Sequence, residues 1–184
     1  MPAGSGLLEL EPRIGEVYLS AEDIRARVEE LGAAIAGDYA GREPILVASL
    51  KTAVVFLADL SRALPIVHNL DFIALAGYEG NGGGGGRVRL LKDLELSVKG
   101  RDVLLVEDVV DTGMTLNFLV KTLGLREPNS LAAVALLDRP YRRLVEDLPV
   151  RYVGFTVPDE FFVGYGFDLD GKWRSLPDLR LVRA

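Results

Sequence analysis

Three carboxylates, Glu107, Asp108 and Asp111, stand within five positions of one another, and Thr112, Gly113, Met114 and Thr115 follow them directly. Acids and hydroxyls at this density suit a ligand rich in hydroxyls and phosphates. A divalent cation, or hydroxyls of the ligand itself, must then lie between the carboxylates and the phosphates. Ahead of the acids runs Val103-Leu104-Leu105-Val106, an apolar stretch suited to a strand buried on both faces, as in a parallel sheet. Behind them Leu116, Leu119, Val120 and Leu123 recur at helical spacing. The acids therefore fall at the carboxyl end of a strand, where open α/β sheets place their ligands. The small-residue turn opens a helix, whose free N–H groups and positive dipole end favour phosphate. This combination points to a phosphorylated sugar held with a metal. The plainer alternative is an acidic turn in which Asp111 or Thr112 only caps the helix.

A chain of 184 residues fits one domain with room for a small appended lobe. A net charge of -6 with no basic run excludes a broad nucleic-acid surface. Cysteine is absent, so disulfides and thiolate chemistry are excluded. No apolar run is long enough for a bilayer, and residues 1–6 lack the basic and apolar regions of a signal peptide. The expectation is a cytoplasmic protein without membrane or nucleic-acid partners.

The elements that must position the acids follow from pattern. Residues 1–15 carry Pro2, Gly4, Gly6, Pro12 and Gly15 and read as a loose terminus, and Glu16-Val17-Tyr18-Leu19 as a short strand. Ser20 is an N-cap with Asp23 as capping-box partner, for a helix to about Gly37 with Ile24, Val28, Leu31 and Ile35 as its buried stripe. Ile45–Leu50 is a second buried strand, and Lys51-Thr52 starts a helix that Pro65 ends. Residues 66–75 alternate Asn69 and Asp71 with Leu70 and Phe72, a strand with Asn69 and Asp71 on its wetter face. His68, without metal-ligand neighbours in sequence, is structural. Six glycines then fall within seven positions at 80–86, ahead of a further strand that begins at Arg87. Because a strand and not a helix follows them, a dinucleotide-binding turn is excluded. A buried strand over 132–137 ends at Asp138-Arg139-Pro140, and Arg142 and Arg143 belong to a polar connector facing water. The tail from 150 to 184 adds a strand over 152–157 and is rich in aromatic residues.

The run Glu107-Asp108-Val109-Val110-Asp111-Thr112-Gly113-Met114-Thr115 resembles the phosphoribosyl-diphosphate (PRPP) motif of type I phosphoribosyltransferases, closest to the hypoxanthine-guanine branch. Val163-Gly164-Tyr165-Gly166-Phe167-Asp168 is the second most specific match, and the likeness extends from about Val17 to Arg174. The resemblance implies an α/β fold with a mostly parallel five-stranded sheet flanked by helices. It also implies a core over about 38–150 and a small hood built from about 1–37 and 151–184.

The resemblance further implies transfer of 5-phosphoribosyl from PRPP to N9 of a 6-oxopurine. Hypoxanthine and guanine are the expected bases, with xanthine as a further candidate. The products are a nucleoside monophosphate, IMP or GMP, and pyrophosphate, in purine salvage. Magnesium is the implied cofactor, and a homodimer or homotetramer the implied assembly.

By the same likeness Glu107 and Asp108 hold the ribose hydroxyls directly or through the metal. Consecutive strand residues point opposite ways, so a backbone bend is needed to aim both at one ligand. Thr112, Gly113, Met114 and Thr115 bind the 5′-phosphate. Asp111 exchanges a proton with purine N7, a role that calls for an apolar base pocket.

Lys51 and Thr52 match a pyrophosphate loop that usually reads Leu-Lys-Gly, with a cis peptide before the lysine and glycine where Thr52 stands; Arg174 reaches the same pyrophosphate. Gly77 and Tyr78 open a mobile lid, with glycine in place of the family's serine. Phe161 stacks on the base and Phe162 offers it backbone hydrogen bonds. Asp168 lies beside the purine and holds a second metal. Arg139 replaces a lysine that bonds the purine's exocyclic oxygen, and its longer guanidinium either lies against Phe161 or reaches the oxygen through water.

Three rival readings stand beside this one. They are a PRPP-binding regulator without catalysis, a nucleic-acid-binding regulator of the same fold, and a phosphoribosyltransferase of another base specificity.

Overall fold

A computed structural model describes residues 11–78 and 87–183. Residues 1–10 and the glycine-rich loop expected to form the lid lie outside the described residues, apart from the backbone of Gly77 and Tyr78 at a strand end.

Two sheets organise the chain. The larger has six strands in the order β4-β3-β2-β5-β6-β7: β2 (Ile45–Leu50), β3 (Asn69–Tyr78), β4 (Arg87–Lys92), β5 (Asp102–Val110), β6 (Ser130–Asp138) and β7 (Val150–Thr156). β3, β2, β5, β6 and β7 run parallel, and β4 adds an antiparallel edge. The mostly parallel sheet is thus as expected. Its five parallel strands gain a sixth because β4 returns as the second arm of a hairpin.

Helices cover both faces, as a strand that is apolar along its whole length requires. On one face α1 (Ala21–Asp38) and α2 (Val54–Ala63) pack Ile24, Val28, Leu31, Phe56 and Leu60 against Leu46, Ala48, Leu104, Val106 and Val134. On the other, α3 (Met114–Gly124) packs Leu116, Leu119 and Leu123 against Ile45, Val47, Val103, Leu105 and Ala133. The alternation of Val103 and Leu105 with Leu104 and Val106 between the two cores is the period of a strand. Ser20 and Asp23 form the expected capping box on α1. Lys51-Thr52 does not start α2: residues 51–53 turn first, and the helix begins at Val54.

The smaller sheet pairs β1 (Ile14–Leu19), β9 (Leu179–Val182) and β8 (Phe162–Val163) antiparallel, in the order β1-β9-β8. The division expected at about 37 and 151 assigns α1 and β7 to the hood, but both belong to the layers of the large sheet.

One face of β3 inverts the expected pattern. Asp71 is 4% exposed and Leu70 is 42% exposed. Asp71 accepts the Glu95 and Leu96 backbone N–H groups at 2.9 and 2.8 Å, and so anchors the segment after β4. A buried carboxylate is tolerated where backbone donors satisfy it. His68 is structural as expected: Ser61 Oγ lies 2.8 Å from its Nε2, and the Ile66 carbonyl 2.8 Å from its Nδ1.

Candidate active site

At the carboxyl ends of β2 and β5 the sheet opens. β5 pairs with β2 only as far as Val106 opposite Ala48, but continues beside β6 to Val110. The unpaired side of residues 107–110 faces a cavity of about 390 Å3, lined among others by Ser49, Thr52, Glu107, Asp108, Asp111, Thr112 and Gly113. A larger groove of about 630 Å3 lies between α1, α2 and the hood. It holds Arg174 but none of the clustered carboxylates of the motif, so the smaller cavity is the candidate site.

Glu107 and Asp108 both line this cavity although they are consecutive on a strand. Glu107 is buried and accepts a hydrogen bond from Ser49 Oγ at 3.1 Å. Burial, with the Asp108 charge beside it, pushes its carboxyl up to about 8, against a smaller opposing effect of Ser49. Asp108 is half-buried. Burial raises its carboxyl to about 6, opposed by the backbone amides of Asp108 and Val109 and by the charge of Arg174.

Beyond Val110 the chain turns through Asp111 and Thr112 into Gly113, whose φ of +82° makes it a left-handed N-cap of α3 without a side-chain bond. The first amides of α3 are therefore uncapped by any side chain at residue 113, in the manner of an anion site. Thr112, Gly113 and Thr115 line the cavity, while the Met114 side chain is half exposed outside it. A Cβ on Gly113 would stand 2.6 Å from Leu148 Cδ1 and 3.2 Å from Arg143 Cδ, so the connector 139–149 packs directly behind this turn.

That packing corrects the expectation that the connector faces water at Arg143, while Arg142 is exposed as expected. Arg143 is mostly buried and pairs with Asp138 at the end of β6, and the Leu144 N–H donates to the Thr112 carbonyl at 2.9 Å. Arg142 Nε lies 2.9 Å from Asp111 Oδ1, and its Nη1 donates to Asp159 Oδ1 at 2.6 Å. Asp111 thus stands among guanidinium groups and not in an apolar pocket. Its Oδ1 is buried and accepts no well-aligned hydrogen bond, despite the short approach of Arg142.

The Leu50–Lys51 peptide is cis. Lys51 is exposed, and Thr52 Oγ1 accepts from Arg174 Nη1 at 3.1 Å. Arg174 also donates to the Gly166 carbonyl at 2.6 Å and pairs with Asp168 Oδ1 at 2.6 Å. Gly166 has φ +99°, and a Cβ there would overlap the Thr52 carbonyl oxygen; at Gly164 (φ +98°) it would overlap that of Asp178. Tyr165 between them donates its hydroxyl to Asp59 Oδ2 on α2 at 2.6 Å. The Val-Gly-Tyr-Gly-Phe-Asp run is therefore the clasp that docks the hood on the turn after β2.

Arg139 follows β6, donates to the Glu160 carbonyl, and lies over the ring of Phe162 at 5.6 Å, within cation–π range. The expected contact with Phe161 is not made. Phe162 is buried, whereas Phe161 is 81% exposed and holds only its backbone in place, its carbonyl accepting from Val182 N–H at 2.8 Å.

Sequence reading missed Ser49, Arg142 and Asp159. Ser49 was detectable as the one hydroxyl in the apolar run of β2; the other two meet only in space, 17 positions apart. Among the described residues no three acidic, imidazole or thiolate side chains gather into a metal cage. Glu107, Asp108 and Asp168 offer only oxygen donors, the chemistry of magnesium, which takes one or two carboxylates and draws its remaining ligands from substrate oxygens and water. Glu107 and Asp108 line the cavity, while Asp168 is paired with Arg174.

The chain is similar to known proteins along most of its length. Residues 16–170 match the phosphoribosyl transferase domain. The hypoxanthine phosphoribosyltransferase of Salmonella typhimurium is 47% identical over 165 residues, 88% of this chain and 92% of that protein. The hypoxanthine-guanine phosphoribosyltransferase of Mycobacterium avium is 43% identical over 169 residues, covering 89% and 83%. A crystal structure of a hypoxanthine-guanine phosphoribosyltransferase from Bacillus anthracis superposes with a TM-score of 0.87 at 40% identity, over 94% of this chain and 99% of that one. The chain that carries the strand-end acids, the turn at Gly113 and the glycine clasp therefore belongs to the phosphoribosyltransferase family, and the relatives it resembles are hypoxanthine and hypoxanthine-guanine phosphoribosyltransferases.

Proposed function

We propose that this protein transfers the 5-phosphoribosyl group of PRPP to N9 of hypoxanthine or guanine, releasing pyrophosphate and forming the nucleoside monophosphate, with magnesium as cofactor. One observation carries the reading: a single cavity joins the strand-end acids Glu107 and Asp108 to the start of α3, where Gly113 offers no side-chain cap, and to Thr52, whose hydroxyl accepts from Arg174.

Each part has a task. The backbone of residues 112–115 and the hydroxyls of Thr112 and Thr115 receive the 5′-phosphate. Asp108 accepts from the ribose hydroxyls. Glu107, with a carboxyl that retains its proton near neutrality, donates to them or to Asp108. Lys51, the Thr52 backbone and Arg174 favour negative charge on the departing pyrophosphate, where it grows as the ribose becomes cationic. Phe161, with its ring exposed, covers the base. Arg139 carries only donors, so it favours an exocyclic oxygen over the amino group of adenine. Asp111 accepts the N7 proton. Magnesium, held by PRPP oxygens with Asp108 and Asp168, supplies charge neutralisation between these carboxylates and the diphosphate.

No helix among the described residues is long and apolar enough to cross a membrane, which accords with a cytoplasmic site of action. A homodimer or homotetramer completes the proposal. The test is incubation with PRPP, magnesium and hypoxanthine, guanine, xanthine or adenine in turn, following pyrophosphate release. Release with hypoxanthine or guanine is the expected result. No release with any base, while PRPP still binds, would establish a binding protein instead.

A further inference from the structure

Asp111, Arg142, Asp159 and Arg139 form a cluster that the reading above uses only in part. Arg142 bridges two carboxylates unequally: Nη1 reaches Asp159 Oδ1 at 2.6 Å in hydrogen-bonding geometry, while Nε comes within 2.9 Å of Asp111 Oδ1 out of line. Arg139 Nη1 stands 3.9 Å from each of the same carboxylates, and its Nε is buried without a partner. Asp111 is therefore compensated in charge by two guanidinium groups while its buried Oδ1 receives no aligned N–H. A buried acceptor without a donor is uncommon and costly. In a carboxylate that must take up a proton, that missing donor also keeps the other oxygen, Oδ2, open and basic.

What keeps it open is Asp159. Guanidinium and carboxylate prefer in-line, paired hydrogen bonds, and Arg142 is already close enough to Asp111 to form one by rotating. Asp159 stands in the segment between β7 and β8 that leads into Phe161, and its carboxylate fixes the outer edge of the Arg142 fork. Resting on Asp111 as the acceptor of the base proton, we infer that Asp159 is a positioning residue: it restrains Arg142 so that Asp111 is neutralised without an in-line bond on its buried Oδ1, which keeps the carboxylate basic enough for Oδ2 to accept from the purine N–H. The same contact ties the basicity of that carboxylate to the segment that carries Phe161.

The inference is tested by a double-mutant cycle on residues 159 and 142, with steady-state kinetics for base and for PRPP. Asp159→Ala should lower kcat/KM for hypoxanthine by about ten- to hundredfold, the scale of a misplaced reacting group, with KM for PRPP unchanged. Asp159→Glu should recover part of the loss. In an Arg142→Gln background, Asp159→Ala should cost nothing further, and the double variant should exceed Asp159→Ala alone. An equal cost of Asp159→Ala in both backgrounds, or a parallel rise in KM for PRPP, would overturn the inference. Asp111→Asn separates the two levels of the argument. Retained turnover there removes the role of Asp111 itself, whereas lost turnover beside a fully active Asp159→Ala removes only the role of Asp159.

Discussion

Ser49 Oγ, from the strand beside it, donates to Glu107 Oε1 at 3.1 Å and is the only side-chain hydrogen bond that the described residues provide to this buried carboxyl. One neutral donor does not offset the burial of a charge, and Glu107 accordingly holds its proton up to about pH 8.

A stability dependence follows. The folded-state value lies above the unfolded 4.5, so between the two the native state binds the extra proton, and stability from this group falls as pH rises. In magnesium-free protein without ligand, Glu107→Gln should leave the melting temperature nearly unchanged at pH 5. At pH 8.5 it should raise it, by about 2–4 °C for each kcal/mol recovered. Thermal unfolding at the two pH values checks this, and a gain of equal size at both would contradict it.

Magnesium should strengthen PRPP binding by well over tenfold, roughly the 1.4 kcal/mol that one relieved charge repulsion exceeds. The carboxylates of Asp108 and Asp168 otherwise meet a diphosphate with Lys51 and Arg174 to balance it. Titration calorimetry with and without chelator measures the difference, and affinity independent of the metal would exclude the proposed sharing of ligands.

Arg139→Ala should reduce kcat/KM for hypoxanthine and guanine by about 1–3 kcal/mol, the cost of an unmet buried hydrogen bond, and change adenine use little. The cation–π contact with Phe162 keeps the arginine in place before the base arrives. A preference of the unmutated protein for adenine, or full activity of the variant with 6-oxopurines, would remove Arg139 from the specificity role.

Gly166→Ala and Gly171→Ala form a matched pair. Both glycines have positive φ, +99° and +80°, but an added Cβ meets the Thr52 carbonyl at the first and nothing within 4 Å at the second. Gly171→Ala should cost about 1–2 kcal/mol of stability from backbone strain alone. Gly166→Ala should cost more and also raise KM for PRPP, because Thr52 must shift. Equal losses of stability with unchanged KM would show that the hood does not set the pyrophosphate turn.

The parts legible in sequence were those whose meaning is local. Val103 to Thr115 reads as strand, acids, turn and helix because each residue type answers a requirement of its neighbours, and Ser20 with Asp23 closes a capping box three positions long. Asp71 was misread because alternation along β3 reveals two faces but not which one the segment after β4 covers. Arg143 reads as a solvated residue for a similar reason: charge alone does not reveal that Asp138 at the end of β6 pairs with it and that the turn at Gly113 packs on it. The Val-Gly-Tyr-Gly-Phe-Asp run was recognisable as a pattern, yet its physical cause, a carbonyl pressed against each glycine, appears only in three dimensions.

The small sheet has a two-residue edge strand in β8, and the core on its outer side is only Ile14, Val163 and Leu176, far less apolar burial than either face of the large sheet. Such a unit opens at lower free energy than the body it rests on. Its opening would withdraw Asp168, Arg174 and Phe161 together, while α1, α2, α3 and the parallel strands stay folded. Heat inactivation should then precede the loss of helical signal, reversibly on cooling, so that turnover reports the melting of one clasped sheet and circular dichroism that of the rest.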